Sequence, residues 1–207
     1  MSNTSSTPDT LATVGAERPQ RGLRLAVLLV AFAGAVGLRV AVGGASVSQS
    51  LPAALVFAGA LLVLAFAAGT RMQVGRPPVS SLLAGLGGGV LICLPVALAQ
   101  MLAHRPLHDM SGLWPWALVV AVVASAEEVF LRGTLYDAVR ELSGSTVAVG
   151  IAAIAFGLLH VPLYGWHVLP LDVAVGVVLG MLRASTGGVG APAVAHIIAD
   201  YAGWFLR

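Results

Sequence analysis

The chain has no lysine, a single cysteine and only nine acidic residues among 207. Charged residues make up 10% of it, against about 25% in a soluble domain, while hydrophobic residues reach 58%. With a mean hydropathy of +0.93, this deficit of charge points away from a soluble enzyme and towards a polytopic membrane protein. One cysteine, Cys93, excludes an internal disulfide and a multi-cysteine metal site. In its apolar stretch it reads as a small buried hydrophobe. The eleven arginines are dispersed, without a basic stripe or interleaved aromatics, so no nucleic-acid partner is expected.

What is present is a series of apolar runs. Residues 1–20 are rich in Ser, Thr and Pro and read as a disordered cytoplasmic tail. Residues 21–207 read as one membrane-embedded, all-α domain. A spanning helix needs about 20 mostly apolar residues. Candidate segments lie at 23–42, 51–69, 80–102, 114–139, 146–162, 168–184 and 189–206, a bundle of about seven transmembrane helices. Pro52, Pro115 and Pro192 fall near helix starts. Gly43-Gly44, Arg76-Pro77-Pro78 and Gly187-Gly188 punctuate connections. The small residues Gly85, Gly87, Gly88 and Gly89 suit close helix packing in lipid. Arg18, Arg21, Arg24, Arg71, Arg76, Arg140 and Arg183 fall on one side of this arrangement, and Arg105 and Arg39 on the other. The positive-inside rule then places the N-terminus in the cytoplasm.

Against this background two adjacent acids, Glu127 and Glu128, close an apolar run, with Arg132 four residues beyond the second. Ionisable groups in a bilayer are costly and mark a site, a pathway or a paired lock. Glu128 and Arg132 form an i,i+4 pair in the favourable acid-before-base order. Glu127 is rotated by about 100° on the helix, among Val123, Ala124, Phe130 and Leu131. As an unpaired carboxylate it suits a general base, with Glu128 and Arg132 providing orientation and charge compensation. An inert buried network of the same three residues is the competing reading. His160, one turn after Phe156, and His196 with Asp200 at i,i+4 are each compatible with structural roles when taken singly. Together they put polar groups on three apolar helices, and stranding all of them in lipid would cost too much. They are expected to converge on one another or on a water-filled cavity. His160 lies about 21 Å into its segment and meets the level of Glu127 only if that helix stops short.

Glu127-Glu128…Arg132, Phe156…His160 and His196…Asp200, in this order on successive apolar helices, resemble the CPBP family of CAAX-processing and bacteriocin-processing (Abi) proteases. The resemblance covers about residues 114–204. It implies an intramembrane glutamate endopeptidase with no catalytic metal and no cofactor, acting on a peptide or membrane-protein substrate in the lipid bilayer of a cell membrane. Glu127 would activate water with help from His160, and His196 with the last motif residue would stabilise the oxyanion. Glu128 would share the site, with Arg132 and Phe156 orienting it. One position departs from the pattern. Many family members carry Asn where this chain has Asp200, and an ionised Asp accepts hydrogen bonds without donating them.

Two other classes of function use the same residues. Glu127, Glu128, His160, His196 and Asp200 are plausible ligands of a divalent ion in a metal-dependent membrane hydrolase. A binding or immunity scaffold without catalysis, or a proton-coupled carrier, is the non-enzymatic reading. Bland expectations cover the rest: Ser125 as a helix-packing residue, His104, His108 and Asp109 as solvated loop groups, Asp172 as a helix-start carboxylate, His167 at an interface with Trp166 and Tyr164, and Arg207 as a terminal snorkelling charge.

Overall fold

The computed structural model describes residues 9–70, 78–104 and 110–205. Arg71, Arg76, Pro77, Arg105, His108, Asp109 and Arg207 lie outside them, as do residues 1–8. The described residues are all-helical and contain no strand. Helix α1 spans Asp9–Gly43, α2 Leu51–Ala67, α3 Pro78–Leu102 and α4 Leu113–Glu128. A π-helical segment, Val129–Leu135, leads into α5 at Tyr136–Tyr164, followed by α6 at Leu169–Thr186 and α7 at Gly190–Phe205. Helix α1 already runs through residues 9–20, the stretch that composition reads as a tail.

Each of the seven apolar segments coincides with helix, but length and composition single out four candidate membrane spans: Pro19–Ser46, Val79–Leu102, Leu113–Tyr164 and Trp166–Thr186. Helix α2 has 17 residues and α7 has 16, short of a full crossing at 1.5 Å per residue. The 52-residue stretch Leu113–Tyr164 is broken at Gly144, whose φ of 83° and ψ of 174° are not helical. A side chain rarely tolerates that φ, so the glycine allows the break between the segments predicted at 114–139 and 146–162. Across it, Tyr136 Oη and Ser145 Oγ are hydrogen-bonded at 2.9 Å.

Close backbone approach decides which helices pair. Helix α3 packs chiefly on α7, and α5 on α6. A Cβ at Gly85 would lie 2.8 Å from Ala191 O, and one at Gly89 2.8 Å from the Ile198 side chain. Gly88 faces Leu182 in the same way, whereas Gly87 faces open space. Between α5 and α6, a Cβ at Gly176 would come within 2.7 Å of Ala153 Cα. The principal core lies where α1, α2, the π-helical segment and α5 meet, around Phe32, Phe57, Leu61, Phe130 and Leu135. Phe32 and Phe130 stack with ring centroids 5.3 Å apart.

Two of the arginines counted towards the charge asymmetry lie inside helices and face the bundle. Arg39 in α1 and Arg183 in α6 are both buried. Arg39 continues the inward face of Leu28, Phe32 and Ala35, at offsets of four, three and four residues that keep one side of a helix facing the bundle. Arg183 donates from Nε to Arg132 O at 2.7 Å and from Nη2 to Asp137 Oδ1 at 2.9 Å. Its guanidinium also lies over the Tyr136 ring at 5.1 Å. Neither residue is a loop charge, because each finds acidic or aromatic company inside the bundle.

Candidate active site

The glutamate pair sits in the last turn of α4, immediately before the π-helical segment. Wide helical turns of this kind recur at functional sites, and this one carries Arg132. The two carboxylates occupy different surroundings. Glu128 is fully buried, and its Oε1 accepts from Arg132 Nη1 at 2.7 Å and from His196 Nδ1 at 2.9 Å. Arg132 Nη2 donates to Gly176 O at 3.2 Å. Glu128 therefore ties α4, the π-helical segment and α7 together, and Arg132 extends the tie to α6.

Glu127 instead lines a cavity of about 200 Å³, shared with Arg39, His160, Tyr164, His196 and Asp200. It has ionic neighbours that its own helix does not reveal. Arg39 Nη1 lies 3.8 Å from Oε1, and His196 Nε2 lies 3.9 Å from Oε2. The reading of Glu127 as unpaired is thus corrected: it has a cation on α1, beyond hydrogen-bond distance. On α7, His196 Nε2 also faces Asp200 Oδ2 at 3.6 Å, so His196 lies among three carboxylates.

His160 reaches the same cavity from α5. Its Nδ1 is 2.9 Å from Phe156 O. A carbonyl can only accept, so Nδ1 donates and a neutral ring keeps its lone pair on Nε2. Phe156 holds the two imidazoles in place: its ring meets His160 edge-on at 4.7 Å and His196 at 5.1 Å, with the Arg132 guanidinium 4.9 Å over its face. Both contacts match the electrostatics of an aromatic ring, whose faces attract cations and whose edges suit neighbouring rings.

All seven residues singled out in the sequence are therefore joined. Glu127, His160, His196 and Asp200 line the cavity; Glu128, Arg132 and Phe156 support it from behind. Sequence reasoning missed three more. Arg39 is one. Tyr164 stacks on His160 at 6.0 Å and lines the cavity. Asp172, expected to be a simple helix-start carboxylate, approaches His160 Nδ1 to 3.9 Å. It lines a second cavity of about 320 Å³, which shares His160, Tyr164, His196 and Asp200 with the first. Cys93, expected to be buried, is only half-buried and borders this second space. Ser125 is a packing residue whose Oγ donates to Ala121 O at 2.7 Å. Among the described residues no three His, Cys, Asp or Glu side chains are grouped to hold a metal ion.

Chemically, the cavity offers a carboxylate able to accept a proton, an imidazole with an open nitrogen, and a guanidinium, all sheltered inside a helical bundle. Residues 109–202 match the family model described as Type II CAAX prenyl endopeptidase Rce1-like. All three motifs fall within that stretch. No curated protein and no solved structure matches the chain.

Proposed function

From the match of residues 109–202 to the Rce1-like endopeptidases, within a multi-pass membrane protein, we propose that the chain hydrolyses a peptide bond in a membrane-associated or lipid-modified peptide, using water activated by Glu127. The observation that carries this reading is the division of labour between the two glutamates. Glu128 Oε1 is held by Arg132 and His196 while its Oε2 is buried without a partner, whereas Glu127 faces the cavity.

Glu127 takes a proton from water as the oxygen attacks the carbonyl carbon. His160, through its open Nε2, orients that water and passes protons towards the leaving amine. His196, fixed at Nδ1 by Glu128, presents Nε2 to the reaction. Arg132 and Phe156 hold Glu128 and the imidazoles in register. The chemistry consumes water alone, and in this reading the enzyme uses no metal and no cofactor. In the proposed membrane arrangement all seven helices cross, the short ones in a locally thinned bilayer, with the N-terminus cytoplasmic.

Cleavage of a quenched fluorescent prenylated peptide by purified, reconstituted protein tests the proposal. Wild type should cut it, Glu127→Gln should lower turnover at least about 100-fold, and a chelator should have no effect. Turnover that survives Glu127→Gln refutes the glutamate mechanism; turnover lost to chelation and restored by zinc or manganese transfers the site to metal chemistry.

A further inference from the structure

Arg39 stands outside the matched stretch 109–202, and none of the three motifs predicts it. It is 7% exposed, and its Nε is buried without a hydrogen-bond partner. The guanidinium lies over the Phe57 ring at 5.1 Å, which fixes its plane but satisfies none of its N–H groups in line. Its nearest carboxylate oxygen, Glu127 Oε1, is 3.8 Å away, too far for a hydrogen bond. Leaving a buried donor such as this Nε without an acceptor is costly. The side chain lines the same cavity as Glu127, so an oxygen atom entering that cavity gains a cationic donor.

His196 Nε2 also lines this cavity, but it already faces the Glu127 and Asp200 carboxylates at 3.9 and 3.6 Å. Asp200 is a carboxylate, which as an ion accepts hydrogen bonds without donating them and would repel a developing oxyanion. His160 Nδ1 is committed to Phe156 O. The Arg39 guanidinium, carried by α1, lines the same cavity.

We propose that Arg39 is a further catalytic residue, the cation that receives the oxyanion of the tetrahedral intermediate. The inference rests on the reading of Glu127 as the water-activating base. As Glu127 removes a proton, the water oxygen bonds to the carbonyl carbon and the C=O π pair moves to oxygen, where Arg39 N–H groups hold the charge. Collapse restores C=O, breaks the C–N bond and returns the proton to the leaving amine. Water is the sole co-reactant. A donor that meets the oxygen only as charge develops lowers the barrier without tightening substrate binding.

The test compares wild type, Arg39→Gln, Arg39→Lys and Glu127→Gln on the prenylated peptide and on a phosphinic peptide analogue, whose anionic oxygens imitate the intermediate. Arg39→Gln should lower kcat and kcat/KM together by about 100-fold or more with KM little changed, and should weaken phosphinate binding by a similar factor. If Arg39→Gln fails to fold, Arg39→Lys is decisive: it keeps the charge but not the planar fork, and should lose at least about tenfold in both measurements. Arg39→Gln at wild-type turnover beside a dead Glu127→Gln overturns this inference and leaves the glutamate reading standing. Turnover by Glu127→Gln removes the glutamate reading, and phosphinate affinity then judges Arg39 alone. A phosphinate that wild type does not bind, or that Arg39→Gln binds equally, overturns the inference.

Discussion

Glu128 and His196 meet through a 2.9 Å hydrogen bond between Oε1 and Nδ1, although 68 residues separate them in the chain. Arg132 donates to the same oxygen at 2.7 Å. Replacing Glu128 by Gln removes the charge from this junction and leaves a fully buried guanidinium without its counterion. Breaking a buried pair in this way costs about 3–5 kcal/mol. The expected result is a clear fall in the thermal unfolding midpoint of the detergent-solubilised protein, together with loss of cleavage. Glu127→Gln should lose cleavage at a near-wild-type midpoint, since Glu127 makes only longer contacts. Equal midpoints for the two variants would contradict the division of roles.

Phe156 links the Arg132 guanidinium to both imidazoles. Phe156→Leu keeps most of the apolar volume but removes the ring interactions, each worth about 0.5–1.5 kcal/mol. The variant should fold, bind substrate with an unchanged KM and turn over about tenfold more slowly, because His160 and His196 lose their common stop. Phe156→Ala also opens a cavity, at about 3–5 kcal/mol, and should be visibly destabilised. A steady-state comparison of the two, with unfolding midpoints, separates positioning from packing. Full activity in Phe156→Leu would deny the ring a positioning role.

How far the sequence reaches is clear from three positions. The motif residues were legible because charged and polar groups stand out in apolar helices, and i,i+4 spacing alone pairs Glu128 with Arg132. The level of His160 follows from the helix break at Gly144: Glu127 and His160 lie 17 and 16 residues on either side of it, about 25 Å along each helix. The boundary between the segments at 114–139 and 146–162 was legible, but not that Gly144 carries it, since glycine is frequent throughout this chain. Arg39 had a readable signal. It shares a helix face with Leu28, Phe32 and Ala35, and an intramembrane cation calls for an intramembrane acid. Which acid it meets depends on how α2, packed on both α1 and α4, brings those two helices together, and no local pattern encodes that. Asp172 likewise has an ordinary helix-start explanation until α6 is laid against α5.

The glycines make a sharper packing prediction than composition does. Gly176→Ala would drive a Cβ to 2.7 Å from Ala153 Cα, and a backbone atom cannot swing aside as a side-chain tip can. It would also disturb the carbonyl that receives Arg132 Nη2. Overpacking of this kind costs about 1–3 kcal/mol, so both the unfolding midpoint and turnover should fall. Gly87→Ala, which meets open space on the same helix as Gly85, should be neutral or slightly stabilising through helix propensity. Equal effects at the two positions would mean that α5 and α6 do not approach as closely as described.

Asp200 is the acidic group of the cavity closest to His196 Nε2. Its Oδ2 lies 3.6 Å from His196 Nε2, and its side chain is 35% exposed, so it is bound less tightly than Glu128. Where Arg39 receives the oxyanion, Asp200 need not donate, and its carboxylate is a nearby negative charge that opposes the one being formed. Asp200→Asn removes that charge and restores an N–H donor while keeping the shape of the side chain. Turnover of the prenylated peptide should therefore hold or rise, by up to about tenfold, a gain of roughly 1.4 kcal/mol in transition-state stabilisation. The gain should persist in part in the Arg39→Gln background, because the new amide supplies some of the missing donation. A loss of more than about tenfold in Asp200→Asn would instead identify the carboxylate as the group that orients His196, since the amide would abolish its charge-assisted pull on Nε2.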